Sequence, residues 1–242
     1  MIRINKLLAA KGIASRRDID FMITQGRVKV NGKKLEAPGV SIDPAVDKVE
    51  VDGLPVNLAG EEHTYLLLNK PVGYLCSRQS QGGAPIVFDL PSLKGFGNNL
   101  KYAGRLDRET SGLLVMTTDG DFANRITHPS FEQIKKYHVF TRSRLTAESL
   151  SALKSGFAGL EDGTLDYLEV KEMPTSRKLF QYDVWVAEGR NRMVRRIFSA
   201  VGHPVEKLER YAIGDLLLSD LAPGSVRELQ TNEIIFNKSD LV

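Results

Sequence analysis

The chain has 242 residues, of which 42% are hydrophobic and 26% are charged, as in ordinary globular proteins. This length suffices for one mid-sized domain and one small domain. The sequence contains no apolar run of about eighteen residues and no apolar signal segment near its start, so we expect a cytoplasmic protein with no membrane partner. The single cysteine, Cys76, excludes an internal disulfide, and the four histidines lack metal-ligand spacing, so no metal site is predicted.

Positive charge is concentrated at the amino-terminal end of the chain. The net charge is only +3, yet residues 1–36 contain nine Lys or Arg against three Asp or Glu. Such an asymmetry indicates a module that binds phosphate groups, as nucleic-acid-binding modules do.

The first 34 residues predict two short helices followed by a hairpin. The apolar spacing of "INKLLAA" predicts a helix that stops at Gly12, and a second helix is expected between the N-cap residue Ser15 and Gly26. The alternation of "RVKV" followed by Asn31-Gly32 predicts a tight hairpin.

Several cations of this module have no evident structural purpose. Arg16 and Arg17 begin the second helix, where positive charge opposes the helix dipole. A basic surface against an RNA backbone would explain them, and a merely solvated charged face is the alternative. The residues predicted to contact RNA here are Lys11, Arg16, Arg17, Lys29 and Lys33.

The segment "RINKLLAAKGIASRRDIDFMITQGRVKVNG" resembles the alpha-L RNA-binding motif of the small-subunit ribosomal protein S-four family. Such modules occur in ribosomal components, in a tyrosyl-tRNA synthetase, in a heat-shock RNA-binding protein and in RNA-modifying enzymes. The resemblance implies an RNA partner and leaves the reaction open.

A polar, glycine-containing stretch, "NLAGEEH", predicts a linker after this module. We therefore expect an RNA-binding domain at residues 1–60 and a larger domain at residues 61–242. The larger domain alternates strand-like runs, such as "TYLLLNK", "GLLVMTT" and "LFQYDVWVAEG", with helical segments, such as "DGDFANRITH" and "LTAESLSALKSGF" capped by Thr146. The fold class is thus α+β, with a mixed, mostly antiparallel sheet flanked by helices.

The stretch "KYAGRLDRETSGLLVMTTDG" places Asp107 between Arg105 and Arg108 in a loop between two predicted strands. The pattern alone is compatible with a solvated charge cluster. A second pattern, "EGRNRMVRRIFSAVG", predicts a helix over residues 191–201 with a buried stripe of Val194, Ile197, Phe198 and Val201. Its arginines would hold an anionic group or form a solvated basic face. They are Arg192, Arg195 and Arg196.

Together, five blocks make the chain resemble the bacterial ribosomal-RNA pseudouridine synthases of the RsuA/RluB/RluE/RluF family. The blocks are "LLLNKPVGYLCS" (66–77), "GRLDRETSGLLVMTTDG" (104–120), "KKYHV" (135–139), "EGRNRMVRRIF" (188–198) and "KLER" (207–210). Met193 departs from the family pattern, where many relatives have Gln or Glu. The resemblance implies that uridine in RNA is isomerised to pseudouridine without a cofactor.

The resemblance also implies roles for individual residues. Asp107 matches the family's catalytic aspartate, which acts at C1′ of the sugar or at C6 of the base, two possibilities that the sequence leaves open. Burial disfavours a charged carboxyl group, so we expect Arg195 to lie within hydrogen-bond reach of Asp107. Tyr137 matches the active-site tyrosine and would stack on the extruded uracil.

Further residues are expected to contact the substrate. Arg105 would fill the space that the flipped uridine leaves in the RNA. Lys70 would pack beside the site or contact the backbone, and Leu208 would line the pocket. Arg192 and Arg196 would contact RNA.

Three questions stay open in the sequence. The features "EGRNRMVRR" and "LEDG" favour a large-subunit ribosomal-RNA target, as ribosomal RNA or a pre-ribosomal particle, and a small-subunit target is the alternative. A noncatalytic ribosome-assembly factor would share the amino-terminal module but would not need the five blocks. A hydrolase using Ser111 lacks the G-x-S-x-G pattern. The family suggests a monomer.

Overall fold

The computed structural model describes residues 1–58, 63–155, 168–174 and 178–234. The chain forms two compact units: Met1–Thr64 with Gly95–Lys101 and Thr118–Gly120, and the remainder of the chain. The predicted domain boundary between residues 60 and 61 lies outside the described residues and stays a prediction, and most of the predicted linker lies there too. In the described ranges, no helix has the length and apolar character needed to cross a membrane.

The first unit contains the two predicted helices and the predicted hairpin. Ser15 caps the second helix by accepting a hydrogen bond from the Asp18 amide at 3.2 Å, and Asn31 and Gly32 both adopt positive φ in the hairpin turn. Ile4, Leu8 and other apolar side chains form its core. The elements are β1 (Ile2–Arg3), α1 (Ile4–Ala10), α2 (Arg16–Thr24), β2 (Val28–Val30), β3 (Lys33–Lys34), β4 (Ser41–Ile42), β5 (Val49–Val51) and β6 (Leu54–Val56).

The second unit is built on one mixed sheet. Its strands are β7 (Tyr65–Lys70), β8 (Lys101–Ala103), β9 (Thr110–Thr117), β10 (Lys135–Thr141), β11 (Leu168–Met173), β12 (Phe180–Val186), β13 (Val205–Ile213), β14 (Leu216–Leu217) and β15 (Val226–Glu228). The order is β11-β12-β10-β13-β9-β7-β15, with β14 beside β13 and β8 beside β9. Along that order only β9 and β13 pair in parallel; the other neighbours are antiparallel. The predicted α+β class is therefore confirmed.

Helices complete this part of the chain: α3 (Gly120–Thr127), α4 (Ala147–Lys154), α5 (Met193–Ala200) and α6 (Thr231–Ile234). Thr146 caps α4, as predicted, by accepting a hydrogen bond from the Ser149 amide. The expected end of this helical segment, residues 156–157, lies outside the described residues.

Helix α5 starts two residues later than the sequence predicted. Arg192 has a left-handed backbone with φ of 48°, which a residue inside an α-helix cannot adopt. The expected apolar stripe is present, because Val194, Ile197 and Phe198 are all buried in the core beneath the sheet strands β10, β12 and β13.

Strands β9 and β13 approach each other closely at Gly112. Its φ is +105°, and a Cβ atom at this position would lie 2.2 Å from the Arg210 carbonyl oxygen. Only glycine avoids that overlap, so Gly112 permits the parallel pairing in which it faces Arg210.

Candidate active site

A cleft of about 820 Å³ opens in the second unit around the loop between β8 and β9. This loop supplies Asp107 and its neighbours, strands β10 and β13 supply the floor, and the segment before α5 supplies another wall. Lining residues include Arg105, Asp107, Arg108, Lys135, Tyr137, Arg190, Arg192, Leu208 and Arg210. All five sequence blocks, which are far apart in the chain, thus meet at one concave site.

Lys70, at the end of β7, holds the loop that carries Asp107. Its ammonium group donates to the carbonyl oxygens of Asp107 at 3.2 Å, Thr110 at 2.8 Å and Pro71 at 3.0 Å. The side chain is fully buried and contacts the protein backbone, and its expected role in substrate binding stays a prediction. Burial lowers the pKa of Lys70 to about 8, and the nearby charges of Cys76, Asp107 and Glu109 oppose that shift.

Asp107 is half-buried at the cleft and its backbone is fixed on both sides. Its carbonyl oxygen accepts from the Thr110 amide at 3.0 Å in addition to Lys70. In the part of the chain that the structure describes, no donor bonds its carboxylate. The charge nevertheless interacts electrostatically with Lys70, Arg192 and Arg195. The carboxylate is therefore left available to a substrate within a positive surrounding field.

Arg195 does not make the hydrogen bond to Asp107 that the sequence suggested. Its guanidinium donates instead to the Glu109 carbonyl oxygen at 2.9 Å and to the Val205 carbonyl oxygen at 3.0 Å. The guanidinium is thus bonded to two backbone carbonyl oxygens and not to the carboxylate. Burial lowers the pKa of Arg195, Arg192 adds to that effect, and Glu109 and Asp107 oppose it. Arg195 thus links the loop that carries Asp107 to β13 and interacts with Asp107 through its charge.

Arg192 reaches the same loop from the segment before α5. It pairs with the Glu109 carboxylate at 2.7 Å, a contact that raises the pKa of Arg192 and lowers that of Glu109. Arg196 is half-buried and donates weakly to the Asn191 carbonyl oxygen at 3.4 Å, outside the lining of the cleft. The three arginines therefore do not form one anion-binding row: two of them bind the loop.

Tyr137 and Leu208 lie on neighbouring strands in the cleft floor, as the sequence suggested. Tyr137 is 8% exposed and Leu208 is 4% exposed, and both also pack in the core. Their apolar surface meets the cleft beside Asp107, where a planar base could be held.

Two exposed arginines flank Asp107 at the cleft. Arg105 lines the cleft with an exposed side chain. Arg108 donates to the Gly73 carbonyl oxygen at 3.3 Å, and the Gly73 amide in turn donates to the Arg108 carbonyl oxygen. Arg108 thus ties the loop to the residues after β7.

Cys76 and Ser111, the latter considered above for a hydrolase, are each held by a hydrogen bond. Burial raises the pKa of the Cys76 thiol, which accepts from the Leu106 amide at 3.5 Å. The Ser111 hydroxyl donates to the Leu208 carbonyl oxygen at 3.4 Å. Neither environment favours a reactive nucleophile.

Cations of the first unit are mostly at the surface. Arg16, Arg17 and Lys33 are exposed, while Lys11 is half-buried. Lys29 lies 4.0 Å from Glu50, so part of its charge is neutralised.

Sequence reasoning missed three residues that shape the cleft. Glu109 binds both Arg192 and Arg195, and Lys135 and Arg210 form part of the floor. Lys135 and Arg210 stand in the quoted blocks "KKYHV" and "KLER", two residues from Tyr137 and from Leu208. Alternate residues of a strand face the same side of the sheet, so this spacing could have predicted that they line the cleft. A search of the described residues for three or more His, Cys, Asp or Glu able to hold a metal ion finds none.

Comparison with known proteins agrees with this geometry. The family model described as RNA pseudouridylate synthase matches residues 64–200, which include the cleft, and the S4 domain model matches residues 2–45. The chain belongs to the RNA pseudouridylate synthase family. It is therefore a pseudouridine synthase with an amino-terminal S4 domain, and the predicted family and enzyme class are confirmed.

Two relatives and one solved structure match this synthase over nearly their full length. The chain is 39% identical to "Ribosomal large subunit pseudouridine synthase B" of Bacillus subtilis, covering 97% of this chain and 94% of that protein. It is 38% identical to an "Uncharacterized RNA pseudouridine synthase" of Aquifex aeolicus, covering 96% and 92%. A solved structure, "Crystal structure of pseudouridylate synthase", aligns with a TM-score of 0.67 at 28% identity and covers 97% of this chain and 98% of the other.

Proposed function

We propose that this enzyme isomerises a uridine of large-subunit ribosomal RNA to pseudouridine in the cleft around Asp107. The observation that carries the site is the unbonded Asp107 carboxylate, set in a concave site whose backbone is fixed by Lys70 and Arg195. The relatives named for large-subunit RNA support the target. The predicted feature "EGRNRMVRR" supports it as well, whereas "LEDG", residues 160–163, lies outside the described residues.

The reaction exchanges one bond for another without an external reagent. The N1–C1′ bond breaks, the base turns, C5 bonds to C1′, and the C5 proton leaves while N1 gains one. Asp107 serves as the nucleophile or as the group that stabilises positive charge at the reacting sugar. The positive charges of Lys70, Arg192 and Arg195 interact electrostatically with this carboxylate.

The uridine must leave the RNA stack before it can reach Asp107. We assign Tyr137 to hold one face of the extruded uracil, with Leu208 beside it in the cleft floor. Arg105, exposed at the cleft, is assigned to the space that the base vacates. The exposed cations Arg16, Arg17 and Lys33, with Lys11 and Lys29 nearby, contact the RNA backbone.

Mapping of pseudouridines in ribosomal RNA tests the target. We expect one pseudouridine of the large-subunit RNA to disappear when the gene is deleted and to return with the wild-type gene but not with Asp107→Asn. Loss from the small-subunit RNA alone would contradict the proposed target and support the alternative. An unchanged pattern in both RNAs would contradict a ribosomal substrate. We further propose that the enzyme acts as a monomer without a cofactor, which sedimentation of the dialysed, active protein would check.

A further inference from the structure

Arg210 is a buried residue of the cleft floor. It lies on β13, directly opposite Tyr137 of β10, and it lines the cleft although only 5% of the residue is exposed. Its backbone is the one that Gly112 approaches so closely. The side chain is therefore placed beside the position assigned to the extruded uracil.

The hydrogen-bonding capacity of this guanidinium is largely unused. Its Nε donates to the Leu113 carbonyl oxygen at 2.9 Å, which anchors the side chain. Its Nη2 is buried without a partner, and no residue in the described part of the chain accepts from either terminal nitrogen. A guanidinium has five donors, and buried donors left without acceptors are costly. The arrangement suits an acceptor that comes from outside the protein.

Two buried lysines interact electrostatically with Arg210. Its charge acts on both Lys70 and Lys135, and it adds to the burial that lowers the pKa of Lys135 to about 8. Lys135 donates to the Ala187 carbonyl oxygen, and the nearby Glu188 is paired with Arg190. A ligand with negative charge next to Arg210 would interact favourably with these cations.

We propose that Arg210 donates hydrogen bonds to a carbonyl oxygen of the uracil ring and stabilises the negative charge that the base carries once the N1–C1′ bond is broken. The inference rests on the proposed assignment of the Asp107 cleft. When that bond breaks, its electron pair leaves with the base and is delocalised over N1 and the two carbonyl oxygens. The pair is used when C5 bonds to C1′, after which C5 loses its proton and N1 gains one.

A phosphate of the RNA backbone fits this position less well than the base. Phosphates remain at the RNA surface, where the exposed Arg105 and Arg192 line the cleft. Arg210 is 5% exposed, faces Tyr137 across the strand pair and lies two residues after the apolar Leu208 on β13. Only a group that enters the cleft fully can reach its free donors.

The test compares two leaving groups on the same enzyme preparation. Target RNA fragments contain either uridine or 5-fluorouridine at the modified position, and loss of the starting nucleoside is followed under single-turnover conditions by digestion and mass spectrometry. Fluorine lowers the proton affinity of the detached uracil anion, so its negative charge needs less stabilisation from the protein. The variants are Arg210→Gln and Arg210→Lys, and the control is Arg142→Gln, which removes an exposed arginine paired with Glu206.

For uridine, we expect Arg210→Gln to slow the reaction by about 100-fold, as for loss of one donor to a developing anion. For 5-fluorouridine we expect a loss several-fold smaller, with RNA affinity near that of wild type. Arg210→Lys, which keeps the charge but loses the fork, should lie between. Arg142→Gln should match wild type on both substrates.

Equal losses on the two substrates, or no loss on uridine, would overturn the inference. A lower folded fraction would scale both rates together, so the ratio still reports the role of Arg210. Asp107→Asn is measured alongside: activity in that variant would remove the cleft assignment itself. If Asp107→Asn is inactive while Arg210→Gln slows both substrates by the same factor, only the inference on Arg210 is contradicted.

Discussion

Replacing Gly112 with alanine should push β9 and β13 apart and so disturb the active-site floor. The new Cβ atom would start 2.2 Å from the Arg210 carbonyl oxygen and must reach at least 3.0 Å, a movement of about 0.8 Å. The left-handed backbone costs about 1–2 kcal/mol for a residue with a Cβ atom, and overpacking costs about 1–3 kcal/mol. For a unit of this size, the sum corresponds to a fall in Tm of roughly 10 °C.

The same movement should reduce activity, because β13 also carries Leu208 and the side chain of Arg210. A misplacement of about 1 Å at reacting groups costs on the order of 100-fold, so we expect kcat/KM to fall by about that factor. The assays are thermal unfolding by circular dichroism and C5-tritium release from labelled RNA.

Gly202 offers a matched control. It also has positive φ, +82°, but a Cβ atom there would have no heavy atom within 4 Å, so Gly202→Ala isolates the backbone cost. We expect a fall in Tm of only about 4 °C and a kcat/KM near that of wild type. Equal losses of stability in the two variants, or wild-type activity in Gly112→Ala, would refute the close approach of the two strands.

Other predictions address the loop, the pH dependence and the RNA surface. Lys70→Met removes three donors to backbone carbonyls and should lower the single-turnover rate by about 100-fold with little change in RNA affinity; a wild-type rate would contradict the anchoring role. Burial gives Lys70 and Lys135 pKa values of about 8, below the value of 10.5 in an unfolded chain. As pH rises from about 8 to 10.5 these lysines should therefore add to the free energy of unfolding, while kcat/KM falls; activity that stays flat to pH 10 would speak against this coupling. Replacing Arg16 and Arg17 with alanine should reduce the slope of log K against log salt by up to about 1.8, and an unchanged slope would remove them from the RNA contact.

Local signals in the sequence were sufficient for much of the fold. The Ser15 cap, the Asn31-Gly32 turn and the apolar stripe of α5 each depend on residues within a few positions of one another, and each is present in the structure. Chain position alone also placed Asp107 between two strands. The start of α5 was missed because Arg192 has a left-handed backbone and so cannot belong to the helix. An arginine side chain gives no indication of that conformation.

The contacts that organise the cleft depend on strand register, which no local pattern reveals. Glu109 meets Arg192 across 83 positions, and Lys70 meets Asp107 across 37. The sequence paired Arg195 with the Asp107 carboxylate on the basis of charge complementarity and of the family resemblance. In the folded chain, the backbone carbonyls of Glu109 and Val205 compete for the same guanidinium. Burial of Lys70 was likewise hidden, since a lysine at a strand end usually faces solvent.

The claim that Asp107 performs the chemistry is tested most directly by single-turnover tritium release from RNA labelled at uridine C5. We expect Asp107→Asn to release no tritium above background while it binds the RNA with nearly wild-type affinity, because the carboxylate acts in the reaction and contributes little to binding. Asp215→Asn, at an exposed aspartate in the turn between β13 and β14, should behave as wild type. Tritium release by Asp107→Asn at a rate close to that of Asp215→Asn would contradict the account.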